Sequence, residues 1–169
     1  MAIFSENLES LRALYIDQLQ HLLSVEMQLT EALPKMAEAA TEPQLKQAFT
    51  THLQETRQHV TRVKEILGET SESVSEKKSK ALAALISEGE EMIKDAKDSA
   101  VRDAGLILAG QRVEHYEIAS YGAVRQYAQL LGEEKAVQKL EETLKDEGHA
   151  DHLLTEISKS ANSRANRAA

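Results

Sequence analysis

The sequence predicts an all-α protein built as an antiparallel four-helix bundle, with a long crossover that contains a short extra helix between the second and third main helices. Alanine, glutamate, leucine and lysine abound, whereas aromatic residues make up only 4% of the chain, and this mixture favours helix over strand. Apolar residues recur at spacings of three and four, as amphipathic helices require. The chain has neither a stretch of alternating β-branched residues nor an Asn-Gly or Asp-Gly hairpin signal.

The first main helix is predicted over residues 5–40. Ser5 is its expected N-cap, and Glu6 and Glu9 follow in the first turn, where the helix dipole favours acidic side chains. Pro34 removes one backbone hydrogen bond within the pattern, so we expect a kink there rather than the end of the helix. The apolar face comprises Leu8, Leu11, Tyr15, Leu19, Leu22, Leu29 and Leu33.

A second main helix is predicted over residues 43–67. Thr41 can cap this helix, Pro43 suits its first turn, and Gly68 is a natural C-cap. The connection to the first helix is short, which makes the two helices antiparallel neighbours. The following residues, 68–80, are polar and rich in serine, glutamate and lysine, and they are interpreted as a linker.

The rest of the chain repeats the helical pattern. A short helix is predicted over residues 81–94, and two further main helices are predicted over residues 99–131 and 133–158. Gly132 ends the first of these two and leaves a short turn before the next, so this pair is also antiparallel.

Length and composition limit the classes of protein and partner. The 169 residues suit one domain with a substantial core, which we place at residues 1–160, followed by a flexible tail at residues 161–169. The net charge of −8 makes nucleic acid and anionic membranes poor partners. No apolar run reaches the roughly 18 residues needed to cross a bilayer, and no secretory signal is visible. The absence of cysteine excludes thiolate chemistry and is compatible with the cytoplasm, where we expect the protein.

Acidic and histidine side chains follow the same arrangement in both halves of the sequence. In each half, one carboxylate lies in the apolar register of a helix, and two ligand-type side chains follow one turn apart on the next helix. Residues at i and i+4 share one face of a helix, so each pair can serve one site. Four helices that present such groups to a common core are typical of two-metal bundles. The predicted ligands are Glu26, Glu55, His59, Glu114, Glu147 and Asp151.

Five carboxylates and one imidazole suit two iron ions, with manganese as the alternative, because these ions accept oxygen ligands together with some nitrogen. In the predicted arrangement the ions are bridged by Glu55 and Glu147. The other four ligands hold one ion each, Glu26 and Glu114 as terminal ligands and His59 and Asp151 at the two ends.

The competing interpretation is that these acids are solvated, as most glutamates on helices are. His52, His115, His149 and His152 are interpreted as surface or supporting groups, although the choice between His52 and His59 as the histidine ligand stays open. Glu117 is interpreted as a surface acid, although it can also hydrogen-bond to a ligand. Tyr121 and the other tyrosines are interpreted as packing residues.

Four segments resemble a known family. They are Ala109 to Gly122, Glu26 to Pro34, His52 to Thr56 and Val101 to Ile107, and they resemble the YciE/YciF family of bacterial stress-associated ferritin-like proteins. The likeness covers nearly the whole chain, to about Lys159. It implies a ferritin-like bundle, a homodimer and a rubrerythrin-like two-metal centre.

On matching positions the resemblance supports Glu26, Glu55, Glu114, Glu147 and Asp151 as ligands, and His59 less so. The usual spacing of glutamate and histidine in di-iron proteins is i,i+3, whereas the pairs here are spaced i,i+4. This departure leaves open a non-catalytic structural or interaction bundle with a metal-free core. The other expectations are a centre that reacts with peroxide or oxygen, and a small protein that oxidises or buffers Fe²⁺. The acidic balance disfavours a DNA-protecting role.

Overall fold

The computed structural model describes residues 8–70 and 72–167, and all of the regular secondary structure in them is helical. Four long helices and one shorter helix follow in chain order. They are α1 (Leu11–Ala39), α2 (Pro43–Glu69), α3 (Lys80–Asp95), α4 (Ser99–Leu130) and α5 (Glu134–Ala165).

The four long helices form the predicted antiparallel bundle. Helix α1 packs against α2 and α4, and α5 packs against α4 and α2, so α1 and α5 lie on one diagonal and α2 and α4 on the other. Side-chain pairs fix the directions: Arg12 bonds to Glu133 near one end of the bundle, and Arg164 pairs with Glu42 near the other end. All neighbouring helices are therefore antiparallel.

This arrangement makes α2 and α4 parallel, which explains the long connection between them. Helix α2 ends at the opposite end of the bundle from the start of α4, so the chain must travel back along the outside. Helix α3 lies in this return and packs against α4 and α1. Its N-cap Ser79 accepts a hydrogen bond from the Leu82 amide.

The first helix begins later than predicted. Its N-cap is Ser10, whose hydroxyl accepts a hydrogen bond from the Ala13 amide at 3.0 Å. The expected cap, Ser5, lies outside the described residues, and residues 8–10 are not helical. The helix continues through Pro34 to Ala39, as predicted, rather than ending at the proline.

The start of α2 is held by a residue of another helix rather than by Thr41. The buried Asp103 on α4 accepts hydrogen bonds from the Thr41 amide, the Thr41 hydroxyl and the Glu42 amide at 2.7–2.9 Å. Glu42 is the N-cap position, without a side-chain cap, and Pro43 lies in the first turn as predicted. The prediction of Thr41 as the cap is wrong because Glu42 occupies the N-cap position and the Thr41 hydroxyl donates to Asp103.

Two glycines behave differently at helix ends. Gly132 has a φ of +75° and ends α4 as predicted, with amides of Gly132 and Glu133 bonding back to Gln129 and Ala128. Gly68 is not a C-cap, because α2 continues to Glu69 and Thr70 follows as the cap.

The last helix continues beyond its predicted end at Ser158. It reaches Ala165, and Ala161 is fully buried in the core, so residues 161–165 of the expected tail form its last turn. The ion pair between Arg164 and Glu42 lies in the same turn. None of the described helices is both long and apolar enough to cross a membrane.

The core consists of two apolar clusters, one toward each end of the bundle. The first cluster contains Leu29, Phe49, Leu106 and Leu154 among others. The second contains Leu19, Val63, Val124 and Leu140 among others. Each cluster draws side chains from all four long helices. Buried polar residues separate the two parts in α2, α4 and α5, and in α1 the buried Ser24 and Glu26 lie at the boundary.

Candidate metal centre

A layer of buried ionisable side chains crosses the middle of the bundle between the two apolar clusters. Each of the four long helices contributes to it, and every member is at most 5% exposed. We call it the polar layer, and its members are Glu26 from α1, His52 and His59 from α2, Glu114 and Glu117 from α4, and Glu147 from α5.

Four members of the polar layer form one group that can hold a metal ion. One ligand atom from each of His52, Glu114, Glu117 and Glu147 lies within 4.8 Å of the others. The Nε2 atom of His52 is 3.4 Å from Glu114 Oε1 and 3.7 Å from Glu147 Oε2. Three carboxylates and one imidazole from three helices thus face one point.

A second group lies beside the first and shares one residue with it. Glu26, His59 and Glu147 bring one ligand atom each within 4.8 Å of one another. The Nδ1 atom of His59 is 3.0 Å from Glu147 Oε1 and 3.6 Å from Glu26 Oε2. The two oxygens of Glu147 therefore face different histidines, which is the geometry of a carboxylate that bridges two ions.

The polar layer contains many buried atoms without a hydrogen-bond partner. They include both oxygens of Glu117 and of Glu147, and also Glu26 Oε2, Glu114 Oε2, His52 Nε2 and His59 Nδ1. A buried polar atom without a partner costs about 1–3 kcal/mol, so a cluster of this kind is expensive unless something binds it. Two divalent cations would give each atom a partner and balance four carboxylates, so the residues fit a pair of metal ions.

Without a metal, burial and repulsion by neighbouring carboxylates raise the pKa values of Glu26, Glu114 and Glu117. Burial raises the pKa of Glu114 to about 8, opposed by His52 and reinforced by the Glu147 carboxylate. Burial likewise raises the pKa of Glu117 well above its usual value, and that of Glu26. These three raised pKa values favour protons or cations at the carboxyl groups.

The pKa values of the two histidines are also raised, but here by nearby carboxylates and against the effect of burial. Burial lowers the pKa of His52, but the carboxylates of Glu114 and Glu55 outweigh it and raise the value to about 9. Burial also lowers the pKa of His59, and Glu147 and Glu26 outweigh it to raise the value to about 11. Protons on these imidazoles are the competitors that a metal ion has to displace.

Each histidine has a carboxylate on the ring nitrogen that faces away from its group. His59 Nε2 lies 3.2 Å from Asp146, which also accepts a hydrogen bond from Arg62 at 2.7 Å. His52 Nδ1 lies 3.3 Å from Glu55. If these nitrogens donate to the carboxylates, the lone pairs of His59 Nδ1 and His52 Nε2 point into the two groups, as in many metal sites.

A tyrosine completes the surroundings of Glu26. The hydroxyl of Tyr121 on α4 donates a hydrogen bond to Glu26 Oε1, while Oε2 of the same carboxylate remains without a partner. The phenol thereby fixes one oxygen and leaves the other for a cation. Burial raises the pKa of Tyr121 well above its usual value, so the phenol remains a donor.

The structure brings together four of the six predicted ligands. Glu26, His59, Glu114 and Glu147 all lie in the polar layer. Glu55 and Asp151 are each about a quarter exposed, and neither belongs to the two groups. Their role as ligands remains a prediction.

The surroundings of these two residues suggest other roles. The Glu55 carboxylate lies against His52, and Asp151 lies 3.2 Å from the exposed His115. Glu147 is the member shared by the two groups, as expected for a bridging ligand, whereas the predicted second bridge, Glu55, instead contacts the outward nitrogen of a histidine.

Two members of the polar layer were not among the predicted ligands. The interpretation of Glu117 as a surface acid is wrong, since the side chain is fully buried. His52 is likewise buried within a group and is not a surface residue. A helical signal for both exists in the sequence: His52 precedes His59 by seven residues, and Glu117 follows Glu114 by three, so each shares a face with a predicted ligand.

Comparison with known proteins agrees with this fold. The sequence model of the family described as "Domain of unknown function (DUF892)" matches residues 10–167. Protein YciF of Escherichia coli (strain K12) is 40% identical over 152 residues, which cover 89% of this chain and 92% of that protein.

Two solved structures have the same architecture. The crystal structure of the E. coli stress protein YciF superposes with a TM-score of 0.88 at 38% identity, covering 92% of this chain and 98% of that one. YcfI from Rhodopseudomonas palustris superposes with a TM-score of 0.87 at 34% identity, covering 90% of this chain and 97% of that one. The chain therefore belongs to the DUF892 family, together with the stress protein YciF, and has its ferritin-like bundle.

Proposed function

We propose that this protein binds two divalent metal ions, iron or manganese, in the polar layer and uses them to react with peroxide or oxygen. Oxidation of Fe²⁺ at the same centre is the related alternative. The single observation that carries the proposal is the shared Glu147, whose two unpartnered oxygens face two separate groups of ligand atoms.

The donor set favours iron or manganese over other metals. Four carboxylates and two imidazoles are hard and borderline donors, and no thiolate is available in this chain. Structural zinc sites usually have four ligands with more nitrogen or sulfur, and magnesium retains its water and rarely takes imidazole. When bound, iron or manganese would supply the electrons that reduce peroxide or oxygen.

The chain itself would orient the ligands. Asp146 and Glu55 hold the two imidazoles, and Tyr121 holds Glu26. Apolar clusters border the polar layer on either side, and burial strengthens the interactions between charges within it.

The test makes the same change, glutamate to glutamine, at two residues with different proposed roles, Glu147 and Glu55. Protein without a metal-binding tag is loaded with Fe²⁺ or Mn²⁺ under argon, desalted, and analysed by elemental mass spectrometry. Wild type should retain about two ions per chain. Glu147→Gln should lose both, because it removes the shared ligand, whereas Glu55→Gln should retain both with about 10- to 100-fold weaker affinity.

The same samples then test reactivity. The loaded wild-type protein should consume hydrogen peroxide in a single turnover, and Glu147→Gln should not. Absence of stoichiometric metal in the wild-type protein would refute the proposal. Equal loss of metal from both variants would instead make Glu55 a ligand.

One observation favours a second candidate, a structural or interaction bundle with a metal-free core. The carboxylates around His52 and His59 raise the pKa of each imidazole, to about 9 and about 11, so imidazolium ions can neutralise part of the polar layer. On this alternative the wild-type protein would remain folded and free of metal after loading. The two unpartnered oxygens of Glu117 weigh against it.

A further inference from the structure

A groove between α2 and α5 reaches from the surface to the polar layer. Its volume is about 590 Å³. An ion with six water ligands needs about 180 Å³, at about 30 Å³ for each water, so the groove can admit a hydrated cation. The exposed Thr51 and His149 line it, as does Glu55, which is about a quarter exposed. We call these three residues the mouth of the groove.

The inner end of the groove is formed by the first metal group. His52 and Glu114 line the groove although they are only 5% and 3% exposed. His52 Nε2 and Glu114 Oε2 are buried and have no hydrogen-bond partner. Two ligand atoms without partners therefore belong to side chains at the inner end of a groove that is open to solvent.

The ionisable side chains that line the groove are all of types that bind metal ions. They are the carboxyl groups of Glu55, Glu114 and Glu156 and the imidazoles of His52 and His149. Iron and manganese accept carboxylate oxygen and imidazole nitrogen, the imidazole after release of its proton. No lysine or arginine of the described chain lines the groove, so a cation meets no permanent positive charge in its wall.

Most of these ligand-type side chains lie in the half of the groove next to the polar layer. Because α2 and α5 are antiparallel, Ile157 lies toward Pro43 and His149 lies toward Glu55. Of the five ionisable residues only Glu156 lies in the half that contains Ile157, and the wall there is mainly apolar. A cation therefore finds its partners between the mouth and the first metal group.

The second metal group is enclosed. Glu26, His59 and Glu147 are each 0% exposed, and none of these three described residues lines the groove. On the outer side of this group, His59 Nε2 faces Asp146, which accepts a hydrogen bond from Arg62 at 2.7 Å. An ion in the second group therefore has its path to the groove through the first group, across the shared Glu147.

We propose that metal ions enter and leave the polar layer through this groove, and that every ion of the second group passes through the first. The ion of the first group then exchanges with solvent directly, and the ion of the second group exchanges only after the first position is vacated. The inference rests on the metal function proposed above. It concerns the rates of metal exchange, whereas the metal function is tested by the number of bound ions.

Isotope exchange measures the route and the order. Protein loaded with Fe²⁺ of natural abundance under argon is transferred into excess Fe²⁺ enriched in a heavy isotope, desalted at intervals and analysed by elemental mass spectrometry. We expect the wild type to exchange its iron in two phases of equal amplitude, the fast phase for the first group and the slow phase for the second. A single phase that covers both ions would overturn the serial arrangement.

Two variants narrow the groove from opposite walls. Thr51→Trp adds a ring at the exposed mouth, and Ala150→Leu enlarges a side chain of α5 that lines the groove. Both should keep the metal stoichiometry of the wild type and slow both phases about tenfold, which corresponds to a barrier raised by about 1.4 kcal/mol. The matched control, Thr50→Trp, makes the same change at the neighbouring exposed threonine outside the groove, and it should leave both rates unchanged.

Three results with the variants would overturn the proposal. Unchanged rates in folded Thr51→Trp and Ala150→Leu would exclude the groove as the route. Slowing of the fast phase alone would show that the second ion has a path of its own. Faster exchange in Arg62→Ala, without an effect of the groove variants, would place the entry beside Asp146 instead.

Metal content separates failure of this proposal from failure of the metal function. Two ions per chain in the wild type and in Thr51→Trp, with equal exchange rates, would refute the route and preserve the metal centre. Absence of stoichiometric metal in the wild type would refute the metal centre and the route with it.

Discussion

Glu117 offers a test of the polar layer in which one substitution should have opposite effects with and without metal. Its side chain is fully buried and neither carboxyl oxygen has a partner. An unpaired buried group of this kind costs about 1–3 kcal/mol, and leucine is of similar size and has no polar atom. In metal-free protein, Glu117→Leu should therefore raise the free energy of unfolding by about 2 kcal/mol.

With metal the sign should reverse. Glu117 is one of four ligands in its group, so the variant should lose the stabilisation that the ion in this group provides, about 4.1 kcal/mol at a free metal concentration 1,000 times the dissociation constant, which exceeds the gain of about 2 kcal/mol. Urea unfolding followed by circular dichroism, in EDTA and in excess Mn²⁺, measures both. Glu38→Leu, an exposed acid on α1, is the control and should change neither value by more than about 0.5 kcal/mol.

A loss of stability for Glu117→Leu in EDTA would refute this reasoning. It would mean that the carboxyl has a partner in the metal-free protein, so that the polar layer is satisfied without ions. Equal changes in EDTA and in Mn²⁺ would show that Glu117 is not a ligand.

Three other predictions concern the surroundings of the polar layer and the bundle end. Asp146→Asn should weaken metal affinity about 10- to 100-fold by freeing His59, measured by competition with a chelator, whereas unchanged affinity would exclude an orienting role. Asp103→Ala should destabilise the protein by about 3 kcal/mol because three donors lose their acceptor. As the control, Asp98→Ala removes the side-chain cap of α4 and should cost only about 1 kcal/mol in the same urea experiment. Equal losses in the two variants would contradict the role of Asp103 in holding the start of α2. The stability of metal-free protein should fall as pH rises from about 5 to 9, because raised pKa values such as that of Glu114, about 8, mean that the folded state binds more protons. Metal affinity should rise over the same range, and stability that increases with pH in EDTA would contradict the assignment.

The bundle was predictable because its signals are local and repeated. Apolar spacing of three and four, together with Pro43 and Gly132, predicts most helix bounds to within a few residues. The exceptions depend on contacts between distant parts of the chain. Asp103 replaces Thr41 as the holder of the α2 start, and burial of Ala161 extends α5 beyond Ser158.

The site was predictable most directly where a residue lay in an obvious apolar register. Glu26 lies near Leu22 and Leu29 in sequence, and it is fully buried as expected. Glu55 was favoured by its spacing to His59. Two residues four apart still differ by about 40° around the helix, and this difference leaves Glu55 about a quarter exposed. The packing of α2 against α5 decides which side of that face is buried. The sequence of a single helix does not contain this information.

The position of the polar layer also has a consequence for how the molecule unfolds. It separates the core into two apolar clusters, each at one end of the same four helices. In metal-free protein, repulsion in the middle should let the two ends open independently, giving two sets of hydrogen-exchange rates rather than one. Bound ions would join the two ends into a single cooperative unit, so that metal supply in the cell would govern the protein's resistance to local opening and to proteolysis.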